Sequence, residues 1–210
     1  MHTIYIAQTP EYGKKKFKER FAKEITRVKE QCLNAHYTGV ADGAADNWSF
    51  LNPRVSTTTL DFWHASEYLT FASKVVSKSK YEQKQWLIAA RHWLKYAPNG
   101  ALDLLEDMKT FRSKRKVSKE KKEKLENAIT YFSNHHHQMA YPDCIEKGLP
   151  IGSGVTEAAC KVIVKERLCC SGMKWKEFGA QNVLNIRCLT HTKQRWSQFW
   201  DFFSLHGRLN

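Results

Sequence analysis

The amino-acid sequence predicts an α/β fold in which a small sheet is followed by a long helical insertion. β-rich runs occur only before residue 64, and the apolar residues that follow recur at helical spacing. The predicted strands lie at 3–7, 37–42 and 56–63. We divide the chain into the first part of the α/β core at 1–64, the helical insertion at 65–147, and the C-terminal part of the core at 148–210.

The first predicted unit is a strand, a helix and a second strand. TIYIA, at 3–7, is rich in β-forming residues, and YTGVAD, at 37–42, leads into a glycine-containing turn. The segment between them carries apolar residues spaced four, four and three apart: Phe17, Phe21, Ile25 and Val28. This spacing places them on one helical face, so we expect the helix to connect two parallel strands.

The predicted insertion consists of four helices with apolar residues three or four positions apart. Ser118 is expected to cap the fourth of them. The inner face of this fourth helix is expected to comprise Leu125, Ala128, Ile129 and Phe132. After the insertion, helices are expected at 154–170 and near 178–191.

The charge of the chain indicates an anionic partner. The 210 residues carry a formal net charge of +13, which favours a polyanion such as DNA or RNA first and an anionic membrane surface second. No apolar stretch approaches the ~20 residues of a membrane-spanning helix, and MHTIYIAQTPEYGKKK lacks the apolar core of a signal peptide. The six cysteines form no CxxC pair. We therefore expect reduced thiols in a cytoplasmic protein.

Three acids fall where a strand ends or a helix begins. Asp42 ends the second predicted strand, Asp61 ends the third, and Glu157 follows the glycine-rich turn GLPIGSG. Side chains at the carboxyl ends of neighbouring parallel strands can converge on one site. Converging carboxylates without a basic partner suit magnesium, and paired metal ions support phosphoryl transfer.

Each acid also has a purely structural interpretation. Asp42 precedes a glycine, which is common turn chemistry. Asp61 can cap a helix that begins just after it. Glu157 lies in a first helical turn that Ser153 can cap, and Lys161 follows four residues later as a favourable partner.

Three segments resemble a known family when they are taken in order. They are VADGAADNWSFL, LDFWHASEYL and PIGSGVTEAACKVIVKERLCCSGMKW, with TIYIAQTPEYGKKKF and GAQNVLNIRCL on either side. Together they resemble insertion-sequence DDE transposases of the Kra type, which are related to the Mutator-like transposases. The resemblance implies an RNase H-like core with a helical insertion before the last acidic residue. It also implies magnesium- or manganese-dependent cleavage and strand transfer on transposon-end and target DNA, a nucleoid-associated location, and a possible homo-oligomer.

The resemblance assigns roles to individual residues. Asp42 matches the second aspartate of the catalytic triad and Glu157 matches its final glutamate, so both are implied metal ligands. Asp61 and His64 match the (C/D)xxH motif and are implied supporting residues. The first aspartate of the family lies upstream of the strand matched by TIYIA. The resemblance therefore implies the C-terminal part of a transposase from a truncated or split reading frame.

Two groups of cations are the candidate DNA contacts. The run 109–124 holds nine basic and two acidic residues, a net charge of +7, and is either a phosphate-contacting segment or a solvated loop. Its central residues are Lys114, Arg115 and Lys116. The second group follows Glu157 and comprises Lys161, Lys165 and Arg167. The resemblance is weaker here, because Cys169 and Cys170 stand where basic residues are expected.

Two further metal patterns are disfavoured, and two alternative functions stay open. The adjacent histidines of HHHQM, at 135–139, point in different directions around a helix and cannot chelate one ion well. The CxxH at 188–191 lacks the clearly paired ligands of most zinc sites. One alternative function is a catalytically inactive DNA-binding remnant. The other is a nuclease in which Asp61 replaces the missing aspartate.

Overall fold

The computed structural model describes residues 3–10, 13–114 and 118–207, and helices make up 72% of these residues. The chain divides into two compact units. We call 36–153 the continuous unit, and 1–35 together with 154–210 the discontinuous unit.

The continuous unit contains both described strands and most of the long helices. In chain order its elements are β1 (Thr38–Ala41), α2 (Ala45–Leu51), β2 (Thr57–Leu60), α3 (Phe62–Val76), α4 (Lys80–Tyr96), α5 (Gly100–Lys114), α6 (Lys119–His135) and α7 (Tyr141–Glu146). The preceding helix, α1 (Gly13–Gln31), belongs to the discontinuous unit.

The two strands are parallel and lie side by side. Their register pairs Thr38 with Thr57 and Ala41 with Leu60. Within the described residues these strands form a two-stranded sheet. The sequence prediction is confirmed for a strand within 37–42 and a strand within 56–63, but residues 62–63 begin α3 instead of ending a strand. The predicted parallel pairing of 37–42 is with 3–7, whereas the structure pairs it with the strand within 56–63.

Side-chain caps stabilise the starts of α3 and α4 in the continuous unit. Asp61 caps α3, and the Ser79 hydroxyl accepts a hydrogen bond from the Glu82 N–H (3.4 Å) in the first turn of α4. Ser118 occupies the N-cap position of α6 without a side-chain capping bond. The predicted inner face of α6 is confirmed, because all four of its members are buried: Leu125, Ala128, Ile129 and Phe132.

The discontinuous unit packs α1 and the N-terminal segment with the C-terminal helices. Those helices are α8 (Gly154–Ala159), a π-helical segment (Cys160–Lys165), α9 (Glu166–Leu168), α10 (Glu177–His191) and α11 (Lys193–His206). Its core centres on Ile163, Leu184 and Cys188. Tyr5 and Ala7 of the N-terminal segment pack against this core.

The predicted RNase H-like α/β core is wrong. A core of that kind requires a larger sheet than two strands of four residues each, and the described part of the chain is mostly helical. The error begins at TIYIA, where the structure has no strand. Its backbone bonds to side chains instead: the Tyr5 N–H donates to Thr192 Oγ1 (3.3 Å) and the Ala7 carbonyl accepts from Gln181 Nε2 (3.4 Å). High β-propensity does not make a strand where the neighbouring element is a helix.

Candidate functional site

The two strand-end aspartates leave the sheet at the same edge. Asp42 directly follows β1 and Asp61 directly follows β2. The Asp61 N–H donates to the Ala41 carbonyl (2.8 Å), which extends the ladder by one bond beyond the paired residues. Parallel strands place both carboxyl ends together, so the order of residues in the sequence produces this arrangement.

Asp61 is fully buried and its two carboxylate oxygens are both engaged. Oδ1 accepts hydrogen bonds from the N–H groups of Trp63 (2.7 Å) and His64 (3.0 Å), and Oδ2 accepts one from the Ser153 N–H. Burial raises the pKa of the Asp61 carboxyl, but the bonds from Ser153, His64 and Trp63 outweigh it and leave the pKa below its ordinary value. The helix-cap interpretation of Asp61 therefore describes what this carboxylate does.

Asp61 also fixes the segment that leads into α8. Its bond to Ser153 joins residues 92 positions apart, and the Phe62 N–H donates to the Ile151 carbonyl (2.9 Å) beside it. Gly152 lies against the Trp63 ring, where an added Cβ would be 3.4 Å from Cδ1. The start of α3 thus holds the end of the loop 148–153 in place.

Asp42 makes the bonds of a turn residue. Its Oδ1 accepts from the Ala44 N–H (3.1 Å) and from Asn47 Nδ2 (2.7 Å). These bonds are local, span two and five residues, and stabilise the turn into α2. The turn interpretation therefore accounts for one of its two carboxylate oxygens.

Two ring side chains of α6, Tyr131 and His135, lie against the turn that follows Asp42. An added Cβ on Gly43 would lie 2.7 Å from Tyr131 Cε2 and 3.0 Å from His135 Nε2, so a larger residue here would displace these rings. The Tyr131 ring stacks on Tyr68 of α3 at a centroid distance of 3.8 Å. Burial, then the neighbouring Tyr68 and the Asp42 charge, raise the pKa of the Tyr131 phenol.

Tyr141 is a second buried phenol near the same edge. Its ring packs edge-on against Phe62 at 5.4 Å, and its hydroxyl has no hydrogen-bond partner among the described residues. Burial raises its pKa, with smaller contributions from Tyr131 and Asp61. The sequence analysis missed the positions of Tyr131 and Tyr141, because their proximity to the strand edge depends on where α6 and α7 pack. The one available signal was the spacing of four between Tyr131 and His135.

His64 contributes its backbone to Asp61 and leaves its ring partly exposed. The His64 side chain is 43% exposed, and its Nδ1 lies 3.9 Å from Glu67 Oε2. This pair is ionic only when the imidazole is protonated. In this structure, the DxxH spacing therefore belongs to a helix start in which Asp61 caps the first turn of α3.

Glu157 is in a different environment, on an exposed helical turn. It lies in α8 and, together with Lys161, Lys165 and Glu166, lines an open concavity. No ion pair joins the described side chains of Glu157 and Lys161, although they are four residues apart. Glu157 lies in the first turn of α8, as its structural interpretation expects.

The π-helical segment, which contains Lys161 and Lys165 of this concavity, is hydrogen-bonded to a side chain of α10. The Arg187 side chain, from α10, donates through Nε to the Ile163 carbonyl (3.0 Å) and through Nη2 to the Val162 carbonyl. A π-helix shifts the hydrogen-bond pattern to i→i+5, and Arg187 supplies bonds to carbonyls within the shifted segment. Arg187 lies 24 residues beyond Ile163, and its role was missed by the sequence analysis.

The candidate DNA contacts are exposed wherever the structure describes their side chains. Lys161 and Lys165 are both exposed, and Arg167 is exposed with its guanidinium 5.6 Å from the centroid of the Trp175 ring. Lys114 is the last residue of α5. Arg115 and Lys116 lie outside the described residues.

The described residues do not fit a complete magnesium site. Among them, no group of three or more His, Cys, Asp or Glu side chains could hold a metal ion. Asp61 cannot supply a ligand without giving up backbone hydrogen bonds, while Asp42 and Glu157 belong to different units. Their roles as metal ligands stay predictions from the resemblance.

None of the described helices is both long and apolar enough to cross a membrane. Comparisons of the chain with models of protein families, with curated proteins and with solved structures found no match. The resemblance to a transposase family therefore rests on the sequence segments quoted above.

Proposed function

We propose that this chain is part of a DDE-type DNA transposase and acts as a DNA-binding component that does not cleave DNA by itself. The observation that carries the proposal is the exposed pair Lys161 and Lys165, held on a π-helical segment beside Glu157 in a protein of net charge +13. Exposed cations on a fixed segment suit contacts to phosphate. The ordered motifs of the transposase resemblance favour DNA over RNA.

The same residues disfavour a self-sufficient nuclease. That alternative needs Asp61 as the replacement ligand, yet Asp61 already accepts three backbone N–H bonds while fully buried. Withdrawing it would leave the first turn of α3 and the Ser153 N–H unsatisfied. Cleavage in the proposed transposase therefore depends on a carboxylate other than Asp61, together with Asp42 and Glu157.

A salt titration of DNA binding tests the proposal. We expect a fluorescently labelled duplex of arbitrary sequence to bind the 210-residue chain weakly, with an affinity that falls steeply as salt rises. Lys161→Gln/Lys165→Gln should make the slope of log K against log salt shallower by about 0.9 per lost phosphate contact.

The matched control removes the same charge at the same spacing elsewhere. Lys80 and Lys84 are exposed, lie four residues apart on α4, and are replaced together by glutamine. If the two double variants bind with equal slopes, the π-helical segment is not the contact surface. If the wild-type chain fails to bind duplex at low salt, the proposed function is wrong.

A further inference from the structure

A cavity in the discontinuous unit is lined by none of the described acids or cations that the sequence analysis marks as candidate site residues. It has a volume of about 510 Å³ and is bordered by the N-terminal segment, by α1, and by the junction of α10 with α11. Tyr5, Arg27 and Lys193 line it, with His191 and Arg195. All of these residues belong to one compact unit.

The charge balance of this cavity is positive. Its single lining acid, among the described residues, is Glu24, which is ion-paired with Arg195, and both side chains are largely buried at 16% and 28% exposure. That pair is neutral overall. Arg27 and Lys193 have no ion-pair partner among the described residues, so the lining carries a net charge of +2 with His191 neutral. Two uncompensated cations around a concave surface attract an anion.

The wall of the cavity is held by contacts that do not involve these two cations. The Tyr5 N–H donates to Thr192 Oγ1 (3.3 Å), and the Tyr5 ring meets the His191 ring edge-on at 6.4 Å. Thr192 Oγ1 also donates to the Cys188 carbonyl (2.8 Å). The Arg195–Glu24 pair joins α11 to α1 on the other side. Arg27 and Lys193 are therefore placed on a fixed frame and stay available to a ligand.

We propose that this cavity binds a phosphate of the DNA backbone, as a second contact beyond the π-helical segment. The proposal rests on the proposed function, because DNA is the polyanion that supplies the phosphate. Arg27 offers a planar fork of N–H donors that matches phosphate oxygens, and Lys193 adds a compact positive charge. The side-chain amides of Gln31, Gln194 and Gln198 also line the cavity and can donate to a phosphate oxygen.

The test compares two double variants of equal charge in the same unit. Arg27→Gln/Lys193→Gln removes the two cavity cations that have no ion-pair partner among the described residues and keeps the Arg195–Glu24 pair. Lys15→Gln/Lys176→Gln removes two exposed cations that do not line the cavity. Lys15 lies twelve residues before Arg27 on α1, which is about 18 Å along a helix. Circular dichroism and thermal unfolding establish that both variants fold like the wild-type chain.

The readout is duplex binding by fluorescence anisotropy across a salt series, with backbone and arginine side-chain NMR signals followed during the titration. We expect the cavity variant to make the salt slope shallower by about 0.9 for each lost contact, and the control variant to change it less. In the wild-type chain, the Arg27 Nε–H signal should shift on addition of DNA.

Two results overturn the inference, and they are distinguishable. If the wild-type chain binds DNA but the two variants have equal slopes and the Arg27 signal is unmoved, the cavity inference is wrong and the proposed function stands. If the wild-type chain binds no DNA at low salt, the proposed function fails and the cavity inference fails with it.

Discussion

The strand edge of the continuous unit and the π-helical segment region of the discontinuous unit each contain an acid that the sequence marks as a site residue. At the strand edge, Asp61 is fully buried and accepts three backbone N–H bonds. Beside the π-helix, Glu157 is exposed, and its carboxylate makes no hydrogen bond or ion pair to another described residue. The first carboxylate is committed to holding structure, and the second remains available to a ligand. Position at a strand end or helix start does not distinguish these two uses.

The largest effect that separates the two regions is expected from removing each acid. Asp61→Ala removes the carboxylate that accepts hydrogen bonds from the first turn of α3 and from the Ser153 N–H. It should therefore lower the free energy of unfolding by about 3 kcal/mol. Glu157→Ala should change it by less than about 0.5 kcal/mol, because the side chain is exposed. Chemical unfolding of the three proteins measures both. A loss from Glu157→Ala that matches the loss from Asp61→Ala would contradict the comparison.

A smaller effect is expected at the turn that follows Asp42. Gly43→Ala would place a Cβ 2.7 Å from Tyr131 Cε2, which should cost about 1–3 kcal/mol through displacement of the stacked rings. Gly179→Ala is the control, because nothing lies within 4 Å of its added Cβ within α10. This control should be neutral or slightly stabilising, since alanine favours a helix over glycine. Thermal unfolding compares them, and an equal loss in both variants would exclude the Tyr131 contact as the cause.

The stability of the π-helical segment should depend on Arg187, and the loss should be similar to or smaller than that expected for Gly43→Ala. Arg187→Gln removes the bonds to the Ile163 and Val162 carbonyls and should cost about 1–2 kcal/mol. In this variant, the rate of amide hydrogen exchange should increase more in the π-helical segment than in α3 or α6. Arg187→Lys should recover part of the protection, because it restores one charged donor. Unchanged exchange in the Gln variant would show that the segment does not need this side chain.

The smallest effect in this series is a pH dependence. Because the folded pKa of Asp61 lies below its unfolded value, Asp61 stabilises the fold fully above the unfolded pKa of about 4. This contribution is lost as pH falls through the folded pKa. Urea unfolding at pH 6 and at pH 3 should therefore show a smaller acid loss in Asp61→Asn than in the wild-type chain. Equal acid losses would mean that this carboxyl is not the group responsible.

Local elements were predictable where the signal lay within one segment. The inner face of α6 follows from the spacing of Leu125 and Phe132, and β1 and β2 follow from short β-branched runs bounded by turns. The N-terminal TIYIA carries the same β-propensity, but its backbone partners are Thr192 and Gln181, which are more than 170 residues away. A strand needs a strand beside it, and no local pattern states which element will lie there.

The candidate site was predictable as a set of positions but not as a set of interactions. The sequence placed Asp42 and Asp61 at neighbouring strand ends, and the parallel register agrees with that placement. It left open whether Asp61 binds a metal or caps a helix, because that choice depends on the Ser153 N–H reaching Oδ2 from a distant loop. The covering of Gly43 by Tyr131 likewise depends on the packing of α6 over the strand edge.

Cleavage of labelled duplex DNA by the 210-residue chain, with magnesium or with EDTA, tests the central claim most directly. The claim is that this chain binds DNA but does not hold a complete cleavage site. We expect the duplex to be bound at low salt and to stay intact under both conditions. Magnesium-dependent cutting by the wild-type chain, abolished by Asp61→Asn in a variant that remains folded, would contradict the account. It would show that Asp61 serves as a catalytic ligand despite its three backbone hydrogen bonds.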